Sequence, residues 1–220
     1  MVATPAFAQE TYALKSTPKV GLKIAYKVTI ETTIQGVNAL FTGKSITRVV
    51  KVEPNGNVST VTEESDLKVK VEDQLVDLPA EDPHGITTDS RGILVTMTGK
   101  KTGPDDYRLA YMNCIVAPDA PVKVGDSWTY EFKPNPNHKN NLSKAEYTLA
   151  AIEKVKGISC AKIKVEHAET GGGAKPLSMS GFVWIRLSDG IPLKAETVAK
   201  NVPLMENTDP SDLNIKFEAE

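Results

Sequence analysis

The sequence predicts a mainly β fold: a strongly curved antiparallel sheet or half-barrel meander carrying one short helix. Three features point there. Residues Ser143–Val202 read as four strand-like segments separated by Lys156-Gly157, a glycine-rich stretch and Asp189-Gly190. In the stretch 22–35, Leu22, Ile24, Tyr26, Val28, Ile30, Thr32 and Ile34 alternate strictly with more polar residues, and a period of two places them on one face of a strand. Asn55-Gly56 and Asp189-Gly190 supply residues that adopt positive φ at little cost, as tight hairpins require.

Taken in order, residues 11–21 are polar and contain Pro18 and Gly21, which fits an extended lead-in. The first strand, 22–35, exceeds the usual strand of about 5–6 residues. Long strands joined by short turns favour a strongly curved sheet. A turn at Gly36-Val37-Asn38 leads to a second long strand, Ala39–Val52, and Pro54–Asn57 turns the chain into a third, Val58–Val71. Leu75, Val76 and Leu78 mark a short strand between turns. Ile93, Val95 and Met97 mark another, followed by a loop at Gly99–Pro104. The only helix expected is Asp105–Val116, with Asp105 or Asp106 as its cap and Leu109, Met112 and Ile115 or Val116 along one face. Pro118 and Pro121 end it. Gly125-Asp126-Ser127 then leads into a strand, Trp128–Lys133, and Pro134–Asn141 reads as a polar, exposed loop.

In the closing meander, Ala161, Ile163, Val165 and His167 share one parity, opposite Cys160, Lys162, Lys164 and Glu166. The next segment sets Val183, Ile185 and Leu187 against Phe182, Trp184 and Arg186, so both its faces are partly apolar and it should be covered on both sides. Residues 203–212 form a loop, and Leu213, Ile215 and Phe217 alternate as a last strand.

Composition excludes several partners. The 220 residues are 40% hydrophobic and 25% charged with a formal net charge of −2, which provides no field to attract nucleic acid or an anionic membrane. Aromatic residues are only 6%, against the stacking platform of a single-strand binder. No run approaches the ~18 apolar residues of a membrane-spanning helix. Ala6-Phe7-Ala8 has the small-x-small arrangement of a signal-peptidase site, with Gln9-Glu10 as the mature start. Residues 1–8 therefore read as a residual signal-peptide segment and 9–220 as a single β-rich domain, exported to the periplasm or beyond. No cysteine follows the cleavage point, against a lipid anchor. The two cysteines, Cys114 and Cys160, either form a disulfide in that oxidising compartment or stay as unpaired structural thiols; their spacing fits neither a CxxC redox motif nor a zinc site.

No motif carries catalysis. His84, His138 and His167 lie in no metal-ligand spacing, two in expected loops and one on a strand. Asp82, Asp89, Asp105 and Asp106 sit in turns, where Asp bonds its own backbone. There is no G-x-S-x-G elbow, and Gly171-Gly172-Gly173 lacks the helix and lysine of a phosphate loop. No catalytic residue, metal ligand or cofactor is expected, and the protein reads as a non-enzyme. The apolar strand faces remain. Ile24, Tyr26, Val28, Trp128, Tyr130, Tyr147, Leu149 and Trp184 are placed to line an interior: either a packed core or a cavity for an apolar ligand, since long curved sheets enclose more volume than side chains always fill.

The three long opening strands, the Gly125-Asp126-Ser127-Trp128 lead-in and the two segments 157–163 and 184–196 resemble the exported half-barrel proteins of the LolA/LolB-like superfamily. Similar phrases occur in secreted bacterial domains of unknown function. The superfamily resemblance implies a concave sheet that shelters acyl chains or other apolar ligands, although such carriers usually have several helices as a lid and this chain offers one. The function expected is an exported, non-enzymatic binding protein for a lipid or other hydrophobic ligand. The alternative is an envelope structural or protein-interaction module that works through sheet edges or through the loop Pro134–Asn141.

Overall fold

The computed structural model describes residues 10–99, 102–171, 175–204 and 209–220. The residual signal segment 1–8 and most of Gly171–Gly173 lie outside them. The chain is mainly β, with one open, curved, antiparallel sheet of twelve strands and, among the described residues, a single short helix.

The opening strands follow the alternation closely. β1 (Lys23–Ile34) pairs with β2 (Val37–Val52), and β2 with β3 (Val58–Val71). The first hairpin turns one step earlier than expected, at Gln35-Gly36, with φ of 52° and 84°. Two consecutive positive φ values make the tight turn whose twist matches the strands, so pairing runs on to Val37. β3 is long enough to serve two partners. Its end pairs with β4 (Gln74–Asp77), and its start with β5 (His84–Thr88), which in turn pairs with β6 (Leu94–Thr98).

The second half is β7 (Ser127–Phe132), β8 (Ser143–Val155), β9 (Ile158–Glu169), β10 (Ser178–Arg186) and β11 (Pro192–Val202). The last strand, β12 (Ser211–Ala219), lies between β11 and β1 and joins the two meanders into one sheet. The main strand path ends at β6 and β7, and β4, which among the described residues pairs only with β3, is a further edge. Asp189-Gly190 does not form a two-residue hairpin. Arg186 N–H bonds Ile191 O and Gly190 N–H bonds Arg186 O, so the loop is wider, and Arg186 grips the Asp189 carboxylate through Nε at 2.7 Å and Nη2 at 2.6 Å.

Curvature comes from irregular register. Shifts fall between Thr42 and Lys44, Val49 and Lys51, Leu149 and Ala151, and Trp184 and Ile185. Such bulges bend a strand and raise its twist. At the first of them Asp66 takes a φ of 54° and Leu67 leans across β2. A Cβ on Gly43 would come within 2.6 Å of the end of the Leu67 side chain, so a larger residue there would require that leucine to move.

The concave face of β7–β10 is filled. Tyr147, Leu149, Ile163 and Val165 are fully buried, under helix α1 (Pro104–Met112) and the chain that follows it. This helix starts and stops earlier than Asp105–Val116. Gly103 is its cap, Pro104 takes the first turn, and Asp106 accepts from Gly103 N–H at 2.9 Å rather than capping the helix itself. Proline is preorganised for that position because its missing N–H would be unpaired anyway. Asn113 closes the helix by donating Nδ2–H to Leu109 O at 2.9 Å. Tyr107, Tyr111 and Met112 are its buried residues, and Cys114 and Val116 are buried in the extended segment beyond it.

The loop Pro134–Asn141 is not simply exposed. His138 and Asn140 are buried. The His138 ring stacks on Tyr107 with centroids 4.1 Å apart and its Nδ1 meets Tyr111 Oη at 2.8 Å. Asn140 Oδ1 accepts from Asn135 N–H at 2.9 Å while its Nδ2 donates to Lys133 O. The asparagines hold the loop closed against the helix.

Candidate functional site

On the other half of the same concave face the cover is incomplete, and α1 reaches only the margin, through Ala110. There β1, β2, β3 and β5 line a half-open cleft of about 490 Å³, within the ~300–1,000 Å³ of small-molecule sites. Its floor is apolar, with Ile24, Val28 and Phe217 on adjacent strands. The far side is closed by Ile115 and Cys114 after α1, and one end by a strap formed by residues 10–22. That strap is tied across the concavity: Tyr12 pairs with Val122, Thr17 N–H bonds Asp189 O, and Gly21 N–H bonds Val49 O. It brings Leu14 and Ser16 to the cleft.

Of the eight side chains the sequence placed in an interior, three meet here: Ile24, Tyr26 and Val28. Tyr26 is anchored, donating its hydroxyl to Pro192 O at 2.8 Å and packing edge-on against Phe217 at 5.4 Å. Burial pushes its phenol up to about 12. Trp128, Tyr130, Tyr147 and Leu149 share the inner face but belong to the filled half. Tyr147 donates to Cys114 O at 2.8 Å and Trp128 Nε1–H to Val116 O at 2.7 Å. These two bonds pin the segment after the helix onto the sheet, where it occupies the space the cavity reading had given to a ligand.

Trp184 is on the other face. The register sets it beside Lys162 and Lys194, whose ammonium groups lie 5.0 and 4.6 Å from its ring, and its Nε1–H bonds Glu153 Oε2 at 2.8 Å. The same alternation separates the cysteines. Cys160 alternates with the inward Ala161 and Ile163 and packs with Val155 and Trp184, whereas Cys114 packs in the cluster on the concave side. Both are free thiols, so of the two cysteine readings the structure has the unpaired one. Burial pushes the Cys114 thiol up to about 12, which suits a structural residue.

His84 lies on β5, not in a loop, and lines the cleft opposite Thr62 of β3. Ser143 and His167 meet at 3.0 Å, and His167 Nδ1 lies 3.3 Å from Met112 O. That carbonyl requires a donor, so the imidazole carries its hydrogen on Nδ1 and accepts the serine hydroxyl at Nε2. Burial lowers the His167 pKa to about 4. The spacing is that of a nucleophile and base, but both residues are buried beneath the helix and neither lines the cleft. Beside them Glu169 is held by Arg108 through bonds of 2.8 Å to each oxygen and by Leu177 N–H at 2.8 Å. Burial alone would raise that carboxyl, yet these donors hold it below its ordinary value.

Sequence reasoning missed the polar wall of the cleft. Ser45 and Thr47 on β2 face Glu64 and Thr62 on β3, and the two threonine hydroxyls meet at 3.0 Å. Thr60 stands on the same face of β3. The signal was present as period-two hydroxyls in the stretches 45–49 and 58–64, but an apolar-residue count passes over it.

No protein-family model matches this sequence, and no curated protein matches it. Among solved structures the chain is similar to lipovitellin, solved in work on lipid–protein interactions, with 9% identity and a TM-score of 0.49 over 90% of this chain and 25% of that one. The chain thus spans about a quarter of that lipovitellin chain. It is also similar to a DUF1329 family protein from Desulfovibrio piger, with 9% identity and a TM-score of 0.24 over 90% of this chain and 84% of that one. No helix among the described residues is long and apolar enough to cross a membrane.

Proposed function

We propose that this protein is an exported, non-enzymatic binding protein for a lipid or other hydrophobic ligand. One observation carries the reading: the cleft of about 490 Å³ over Ile24, Val28 and Phe217, on a concave sheet whose other half is filled by its own chain. Apolar surface left open in this way is retained at a cost in hydrophobic burial, and a ligand that covers it recovers that free energy.

Native mass spectrometry of the protein purified from membrane-rich cells, with organic extraction of the same sample, tests this. A discrete added mass that is lost on denaturation and extracts as lipid is expected. A clean apo mass, with no uptake of added apolar ligands, would sink the proposal. It would favour a second reading, an envelope structural or protein-interaction module, for which the exposed Leu75 and Val76 of the β3–β4 hairpin are the supporting feature.

A further inference from the structure

The cleft also has a chemical polarity that constrains the head group of its ligand; this inference rests on the binding reading above. The wall of Ser45, Thr47, Thr60 and Thr62 runs to Glu64, which stands opposite Ser45. Among the described residues no ion pair or hydrogen bond engages the Glu64 carboxylate, although the nearby Asp66 is neutralised by Lys44 at 3.0 Å. His84 is its titratable neighbour across Thr62.

The described lining contains one permanent cation, Arg91, and it is already committed. Its Nη1 pairs with Asp119 at 2.8 Å, its Nε donates to Ala117 O at 3.1 Å, and its guanidinium lies 5.6 Å from the centre of the Tyr130 ring.

An anionic head entering the cleft would give up its water, find no unpaired Arg or Lys among these residues and approach a like charge on Glu64. Each of these disfavours it, because partial loss of water and a nearby like charge both penalise the charged form. A hydroxyl or an ammonium gains instead. Both donate hydrogen bonds, Glu64 accepts without donating, and the serine and threonine hydroxyls do either.

We infer that the cleft selects amphiphiles whose head group donates hydrogen bonds and bears no negative charge, with the head at Glu64 and the tail over Ile24, Val28 and Phe217, and that it rejects carboxylate and phosphate heads.

The test is calorimetric titration of the full chain, at about pH 8 where an ordinary imidazole is neutral, with decan-1-ol, decylammonium and decanoate below their self-association limits. The three share one tail and differ in the head. Decanol and decylammonium should each bind at least about tenfold more tightly than decanoate, a gap of about 1.4 kcal/mol. Glu64→Gln should shrink the gap between decylammonium and decanoate to a few-fold, with circular dichroism confirming an unchanged fold. Decanoate binding as well as decanol, or a gap that Glu64→Gln leaves intact, overturns the head-group inference while the cleft reading stands. Binding of none of the three by folded protein overturns both.

Discussion

The two halves of the inner face obey the same period-two rule and end in different states. On β8 and β9, Tyr147, Leu149, Ile163 and Val165 are fully buried, while on β1–β3 Ile24, Val28, Thr47 and Thr60 remain partly exposed. What differs is the cover. The segment after α1 lies on β7 and β8 because Tyr147 and Trp128 bond its carbonyls, satisfying backbone groups that would otherwise be buried without partners. The inner face of β2 and β3 offers hydroxyls already engaged with each other, as in the Thr47–Thr62 pair, and gains no such cover. One half is therefore a core that supplies stability, and the other a concavity available to a ligand.

The contrast can be broken most forcefully at Arg108. Its partner Glu169 has a side chain only 2% exposed. Arg108→Ala leaves that carboxylate without its charge partner and should cost about 3–5 kcal/mol in urea unfolding, as removal of one member of a buried pair does. Leu149→Ala, at 0% exposure, should cost about 2–5 kcal/mol through transfer and cavity effects. Val28→Ala in the cleft removes methyls that still see solvent, so it should cost only about 1 kcal/mol. Equal costs for Leu149→Ala and Val28→Ala would mean that the two halves are not packed differently.

How much of this was legible from sequence follows the same division. Strands β1 and β3 could be bounded almost to the residue, since strict alternation and the Asn55-Gly56 turn are local signals. The cover was not legible. Aromatic residues at Trp128, Tyr130 and Tyr147 look alike whether a ligand or the protein's own chain lies on them, and the deciding bonds join positions 33 and 12 residues apart. Trp184 was misplaced for a different reason. Its strand is apolar on both sides, so alternation could not say which side was inner, and the lysines that sandwich it come from β9 and β11. The cleft wall was overlooked because threonine on a strand reads as β propensity before it reads as a binding surface.

Acid should act through the filled half. His167 has its pKa lowered by burial to about 4, below the ordinary ~6.5 of an unfolded chain. Between those values the unfolded state binds the extra proton, so stability is full above the upper value and falls as pH drops towards the lower one. The loss across the window is about 3 kcal/mol at most. Glu169, also held low in the fold, adds a loss in the same direction at more acidic pH. Denaturant midpoints measured across this range should decline with acidification in the wild type and flatten in His167→Asn. A profile unchanged by that substitution would remove His167 as the sensitive group.

The mildest perturbation is the most informative about the open half. Thr47 stands on the cleft wall beside Ile24 in register and across from Thr62. Thr47→Phe should project a ring into space that the native chain leaves empty, where it displaces no packed neighbour and leaves Thr62 free to bond water. Stability should move by no more than about 1 kcal/mol, since overpacking penalties arise in filled interiors, while affinity for decanol should fall at least about tenfold. The same enlargement in the filled half, at Ala145 with 0% exposure, should instead destabilise by about 1–3 kcal/mol. A cleft that exists to take a ligand predicts this inversion: bulk is tolerated in the fold and fatal to binding on β2, and costly to the fold on β8. If Thr47→Phe unfolds the protein as readily as the Ala145 variant, the cleft is already occupied by packed side chains in solution and the division between the halves fails.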